Sequence, residues 1–169
     1  LEGYKSDSIE ADVVIFVNGI PLVLIECKKP SSRDYLKEAY SSNLEKYQRM
    51  GLGFRKLFYY NHIIIATSDV AAKYGTIDAL PDKYAKWTSL YDMSMDELEK
   101  KAGRLPTPQD ILLAGILNPP SLLDMLKNFV IYEVSKNKRV KKVAKHQQYR
   151  LVSKCVEKVR EQKEGDPSG

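Results

Sequence analysis

Ala11-Asp-Val-Val-Ile-Phe-Val-Asn-Gly-Ile-Pro-Leu-Val-Leu-Ile-Glu-Cys-Lys-Lys29 decides the fold. Two aliphatic runs, Val13 to Val17 and Leu22 to Ile25, flank Asn18-Gly19, the strongest short-range signal for a β-hairpin. A plain hairpin needs neither Asp12 at the foot of the first run nor Glu26-Cys27-Lys28 at the end of the second. Side chains alternate along a strand, so Glu26 and Lys28 share a face and Cys27 packs on the other. The place of Asp12 depends on register. A strict two-residue turn pairs Asp12 with Ile25, whereas a three-residue connection or one bulge sets it opposite Glu26. The odd-numbered connection is expected. Asp12 and Glu26 would then form an oxygen site for a hard divalent cation, Mg²⁺ by preference, with the Cys27 carbonyl as a further metal ligand. Lys28 would orient the attacking water and offset charge developing on a phosphate. A lone Glu-x-Lys is short and common, and by itself reads as a strand-end ion pair. What makes this one informative is its place at the end of an apolar strand, following a turn and an aspartate.

Outward from this stretch, Pro30 precedes a helix running to about Met50. Ser31 and Asp34 have the spacing of its cap and third position, and Leu36, Tyr40, Asn43 and Tyr47 fall on one face. His62 to Thr67 reads as an interior strand, and Lys73 to Ile77 as a short further one. Cap spacing at Ser94/Glu97, Thr107/Asp110 and Ser121/Asp124 marks three helices, with Leu112, Leu113, Ile116 and Leu117, then Leu122, Leu123, Leu126, Val130 and Ile131, as their apolar faces. The last part reads as a basic turn from Lys136, a β-prone stretch at Val140 to Ala144, and a helix from about Gln148 to Gln162.

The 169 residues, 43% hydrophobic and 29% charged, suit one sizeable α/β domain with a remainder. No apolar run is long enough to span a membrane and no signal segment opens the chain, so a cytoplasmic location is expected. Cys27 and Cys155 have no partner at zinc-like spacing and are expected to be reduced core residues. His62, beside a strand and far from a second ligand, is expected to pack rather than bind metal. Net charge is +5, yet from Lys136 to Lys163 eleven lysines and arginines face two glutamates. A phosphate-rich partner or a solvated helix face would each account for that segment.

The stretch from Asp12 to Lys28 resembles the nuclease motif of the motor (R) subunit of type I restriction enzymes, a PD-(D/E)xK nuclease fused to a DNA-translocating helicase. Leu57-Phe-Tyr-Tyr-Asn-His62, Ala66-Thr-Ser-Asp69, Tyr74-Gly-Thr76 and Trp87 fall in the order that family shows. So does Lys142-Val-Ala-Lys-His-Gln-Gln-Tyr149. The resemblance implies a restriction-endonuclease-like α/β core with a mixed central sheet flanked by helices, incomplete at the N-terminus over 1–90. A helical scaffold at 91–135 completes it, and 136–169 leads into a helicase domain. It implies Mg²⁺-dependent cleavage of double-stranded DNA by Asp12, Glu26 and Lys28, coupled in the full-length protein to ATP-driven translocation, with methyltransferase and specificity subunits as partners. Where the family carries Gln-x-x-x-Tyr, this sequence has Asn43 and Tyr47, expected to support the site or contact DNA. Gln148 matches a glutamine that recognises the adenine of ATP, but no G-x-x-x-x-G-K-[ST] phosphate cradle occurs here, so no ATP hydrolysis is expected of this stretch alone. The family also carries a helix and a strand ahead of the aspartate-bearing strand, which would precede Leu1. A different reading of the same residues is a non-catalytic DNA-binding or docking module that works through its basic end and whose acid pair has lapsed. A repair or recombination nuclease shares the carboxylate–lysine core, but the downstream match weighs against it.

Overall fold

The computed structural model describes residues 10–31, 34–40, 44–48, 55–90, 93–135 and 138–164. Its centre is a four-stranded mixed sheet in which β1 (Val13–Val17), β2 (Ile20–Cys27), β3 (Ile63–Thr67) and β4 (Ala72–Gly75) lie in sequence order. The β1/β2 and β3/β4 pairs are antiparallel and β2/β3 is parallel. Every residue of β3 is buried. An interior strand covered on both faces must be apolar on both, which is why Ile63-Ile-Ile-Ala66 does not alternate.

The hairpin turn differs from the odd-numbered connection expected. Asn18 and Gly19 form a two-residue turn with φ of 51° and 79°, the geometry that matches strand twist. The offset comes instead from a bulge: Val17 pairs with Ile20 and Phe16 with Pro21, but Ile15 pairs with Val23, leaving Leu22 as the extra residue. Beyond it Val13 pairs with Ile25, so the register runs Asp12 towards Glu26.

Each sheet face carries its own core. Leu24, Ile64 and Ala66 pack against Leu36 and Ala39 of α1 (Tyr35–Ala39), Leu44, Tyr47 of α2 (Glu45–Gln48), Phe58 and Tyr84. Val23, Ile25, Ile63 and Ile65 pack on the other side against Trp87, Leu112 and Ile116 of α4 (Pro108–Ile116), and Leu122 and Met125 of α5 (Pro119–Asn128). Helix α3 (Met95–Ala102) buries Leu98.

Caps fix the helix starts. Ser94 and Thr107 form the expected capping boxes with Glu97 and Asp110. Two other starts move by one turn. Asp34 itself caps α1, accepting from Lys37 N–H at 3.3 Å, and Asn118 rather than Ser121 caps α5, accepting from Ser121 N–H at 2.9 Å. Pro119 and Pro120 have no N–H to leave unsatisfied and so open the first turn of α5.

Val130 and Ile131 leave the helix to which their spacing assigned them. They begin β5 (Val130–Ser135), which pairs antiparallel with β6 (Lys138–Val143). Three β-branched residues in Val130-Ile-Tyr-Glu-Val134 favour a strand over another helical turn. Thr76 Oγ1 donates to Lys141 O and Tyr74 OH to Ala144 O, both at 2.8 Å, tying this second ribbon to β4. Helix α6 (His146–Glu164) follows, starting slightly earlier than expected and anchored by buried His146 and Tyr149. Both cysteines are exposed rather than packed, Cys27 as the last residue of β2 and Cys155 in the exposed length of α6. Among the described residues no helix is long and apolar enough to cross a membrane.

Candidate metal and catalytic site

Glu26 sits in β2 on the face it shares with Leu24, and is 0% exposed. Its backbone is fixed by the parallel register with β3, where Glu26 pairs with Ala66, and the next step is closed by Lys28 N–H donating to Thr67 O at 2.7 Å. Lys28 Nζ donates to Glu26 Oε1 at 2.9 Å, with the lysine side chain only 13% exposed. Across the ribbon, exposed Asp12 accepts from Cys27 N–H through Oδ2 at 2.7 Å. The bulge at Leu22 therefore does what the acid pair requires: it brings Asp12 beside the end of β2, where both carboxylates and the lysine meet.

The electrostatics agree with that convergence. Burial pushes the Glu26 carboxyl above its ordinary range; Lys28 works against the shift, and the Asp12 carboxylate adds to it as a like charge and hydrogen-bond neighbour. The Cys27 thiol, exposed yet partly desolvated by the groups around it, is likewise raised, by that desolvation first and then by Asp12 and Glu26. Tyr47, 5% exposed on α2, is pushed up to about 12 by burial and then by Glu26, Asp12 and Glu10. It therefore stays protonated, and its hydroxyl donates to Glu10 O at 2.5 Å, tying α2 to the chain just before Asp12. Gln48, which sequence reasoning passed over, is 5% exposed; it donates to Leu44 O at 2.7 Å and accepts from Asp78 N–H at 2.5 Å, which holds α2 against the segment after β4. An amide next to the tyrosine of a buried helix was its one trace in the sequence.

A raised carboxyl pKa has a stability consequence of definite sign. Protonated Glu26 suits the folded environment better than ionised Glu26, so its contribution is present below about pH 4.5 and is lost as pH rises through the elevated folded value. Without divalent cations, Glu26→Gln is expected to melt a few degrees above the wild type at pH 7, the gap closing towards pH 4.5. A Gln variant that melts lower at pH 7 would show that the Lys28 pairing outweighs burial.

Asn43 lies outside the described residues. Gln148 stands apart from the acid pair, exposed on α6, where its Oε1 accepts from Lys145 N–H at 2.8 Å. With Phe129, Lys142 and Lys145 it borders an apolar-walled cavity of about 630 Å³ between β4 and the second ribbon. His62 is half-buried, with its pKa lowered by burial and by Lys141. Among the described residues no cluster of three or more His, Cys, Asp or Glu side chains gathers. A cation at Asp12 and Glu26 would thus have two carboxylates, backbone oxygen and water, a donor set that suits Mg²⁺, which keeps several waters. A cation there would offset the like-charge repulsion by which Asp12 makes Glu26 harder to ionise.

Residues 2–83 match the family described as type I restriction enzyme R protein N terminus. The chain is 34% identical over 151 residues to the type I restriction enzyme HindI endonuclease subunit of Haemophilus influenzae, covering 86% of this chain and 13% of that protein. It is 27% identical over 157 residues to an endonuclease subunit assigned to the type I restriction enzyme MjaIXP of Methanocaldococcus jannaschii, covering 87% and 14%. The chain therefore spans about one-seventh of the length of these relatives. The matched residues contain the β1–β2 ribbon, its acid pair and Tyr47, and the chain belongs to the type I restriction enzyme R protein family as its N-terminal region.

Proposed function

We propose that this chain is the DNA-cleaving domain of its restriction enzyme, a PD-(D/E)xK nuclease that hydrolyses phosphodiester bonds with Mg²⁺. The observation that carries this reading is the meeting of Asp12, Glu26 and Lys28 at one end of two paired strands. Asp12 and Glu26, with the Cys27 carbonyl, would hold the cation. Bound there, the metal supplies Lewis-acid polarisation of the phosphate and makes water a stronger nucleophile at neutral pH. Lys28 orients that water from its seat on Glu26 and offsets negative charge as the phosphate is attacked. Tyr47 keeps its proton and fixes the strand end from which Asp12 projects. The mixed sheet with helices on both faces is the scaffold expected of a restriction-endonuclease-like core.

In the whole protein this domain would serve an ATP-driven motor acting in the cytoplasm with methyltransferase and specificity subunits, and Gln148 would contribute to the motor's adenine site. We assign those roles to the whole protein because this chain spans only about one-seventh of the relatives' length. The test is cleavage of double-stranded DNA by the intact complex with Mg²⁺ and after chelation with ATP hydrolysis monitored separately. Cutting that persists without divalent metal while the site residues are intact overturns the metal-dependent reading.

A further inference from the structure

On the Trp87 side of the sheet, away from the acid pair, a second polar hollow of about 330 Å³ lies between Ser89 and the first turns of α6. His146 opens that helix and is 6% exposed. Its ring stands edge-on to Trp87 with centroids 4.9 Å apart, Nδ1 is 3.1 Å from Thr88 Oγ1 and Nε2 is 2.6 Å from Ser89 Oγ. The Trp87 indole N–H donates to Ser89 O at 2.6 Å, so the serine is held from both its backbone and its side chain. Burial, and then Arg150, lower the His146 pKa, leaving a neutral ring with one N–H at pH 7. An acceptor in the hollow selects one arrangement of protons: Thr88 Oγ–H to Nδ1, Nε2–H to Ser89 Oγ, and the Ser89 hydroxyl proton turned outward.

What would accept it is set by the walls. Arg150 and Lys154 line the hollow, as do Glu157 and Ser153, and Ser153 Oγ already donates to Tyr149 O at 2.8 Å. Two cations against one carboxylate leave the hollow net positive. Arg150 and Lys154 make no ion pair among the described residues. Lys158 continues the same i, i+4 row, each step rising about 6 Å along the helix. An imidazole-backed hydroxyl beside two cations at the start of a cationic row suits an anion with several acceptor oxygens.

We propose that this hollow is a phosphate site, in which Arg150, Lys154 and the Ser89 hydroxyl hold a backbone phosphate of duplex DNA while Lys158 follows the same strand. The assignment rests on the reading above for DNA as the phosphate's carrier. It is separable from that reading because binding can be measured in chelator, where Asp12 and Glu26 hold no metal. The experiment is fluorescence anisotropy of a short labelled duplex titrated with the chain over a range of salt. Arg150→Ala/Lys154→Ala is expected to flatten the log Kd against log salt slope by about 0.9 per cation and to weaken binding on the order of tenfold or more at about 0.1 M salt. Ser89→Ala is expected to weaken binding by about tenfold with the slope unchanged, since it removes a hydrogen bond to a charged group and no charge. Lys127→Ala, which removes one exposed positive charge from α5, is expected to bind as the wild type does. Wild-type slope and affinity in the double variant would overturn the site. So would Ser89→Ala binding like the wild type, which would leave only diffuse attraction to a basic helix. Failure here leaves the cleavage reading standing, and absence of cleavage leaves this site standing.

Discussion

Lys28→Ala in the intact restriction complex is expected to slow DNA cleavage by about 100-fold or more while translocation proceeds at the wild-type rate. A positioned acid–base or charge-stabilising group contributes on the order of 10²–10⁴ to rate. Lys28 is placed for that role by two contacts, its backbone N–H on Thr67 O and its Nζ on Glu26, so its ammonium cannot swing freely into solvent. Glu26→Ala should lose at least as much, because it removes a carboxylate of the proposed cation site and Lys28's anchor together. The two losses are not expected to add, since the residues act as a unit. Plasmid cleavage and triplex displacement on the same samples separate cutting from translocation. Undiminished cutting in either variant, with translocation intact, would remove that residue from the chemistry.

Gly115→Ala is expected to destabilise the fold by about 2–3 kcal/mol, lowering the melting temperature by roughly 5–10 °C. Two effects oppose one another in α4. Alanine is a better helix former than glycine by about 1 kcal/mol, so propensity alone predicts a gain. A Cβ there, however, would lie 2.1 Å from Trp87 Nε1 and 2.6 Å from Ser89 O. Trp87 cannot retreat easily. It is 3% exposed, stands edge-on to Tyr74 and His146, and packs against Tyr149. The clash also falls on the indole's own hydrogen bond to Ser89 O. A thermal melt decides between the two effects, and a variant as stable as the wild type would mean that the Trp87 segment can shift without cost.

The hairpin was the most legible part of the sequence because Asn18-Gly19 and the two apolar runs are local signals. Its bulge was not, since which residue is extra depends on how β1 and β2 pack against β3. The consequence was nevertheless readable: only an odd offset sets Asp12 towards Glu26, and a bulge supplies it as well as a longer turn would. Strand β3 declared itself through four consecutive buried apolar residues. Ser94 and Thr107 were legible as caps for the same reason as the turn, whereas Asn118 was hidden because Ser121 and Asp124 show the same cap spacing one turn later. Val130 and Ile131 continued a helical spacing and were claimed by it, although their partner strand lies several residues later. Nonlocal pairing of that kind leaves no mark in a window of one helix length. Gln48 and the hydroxyl contacts of His146 were invisible for a related reason, because their partners are 30 and 57–58 residues away.

Whether Asp12 and Glu26 hold one cation between them is tested most directly by soaking crystals of the chain in Mn²⁺ and calculating an anomalous difference map. The expected result is a single strong peak with oxygens of both carboxylates at about 2.0–2.3 Å, and Lys28 Nζ displaced from or shared with Glu26 Oε1. A map without density between those two side chains at saturating Mn²⁺, with the Lys28–Glu26 pair unaltered, would contradict it.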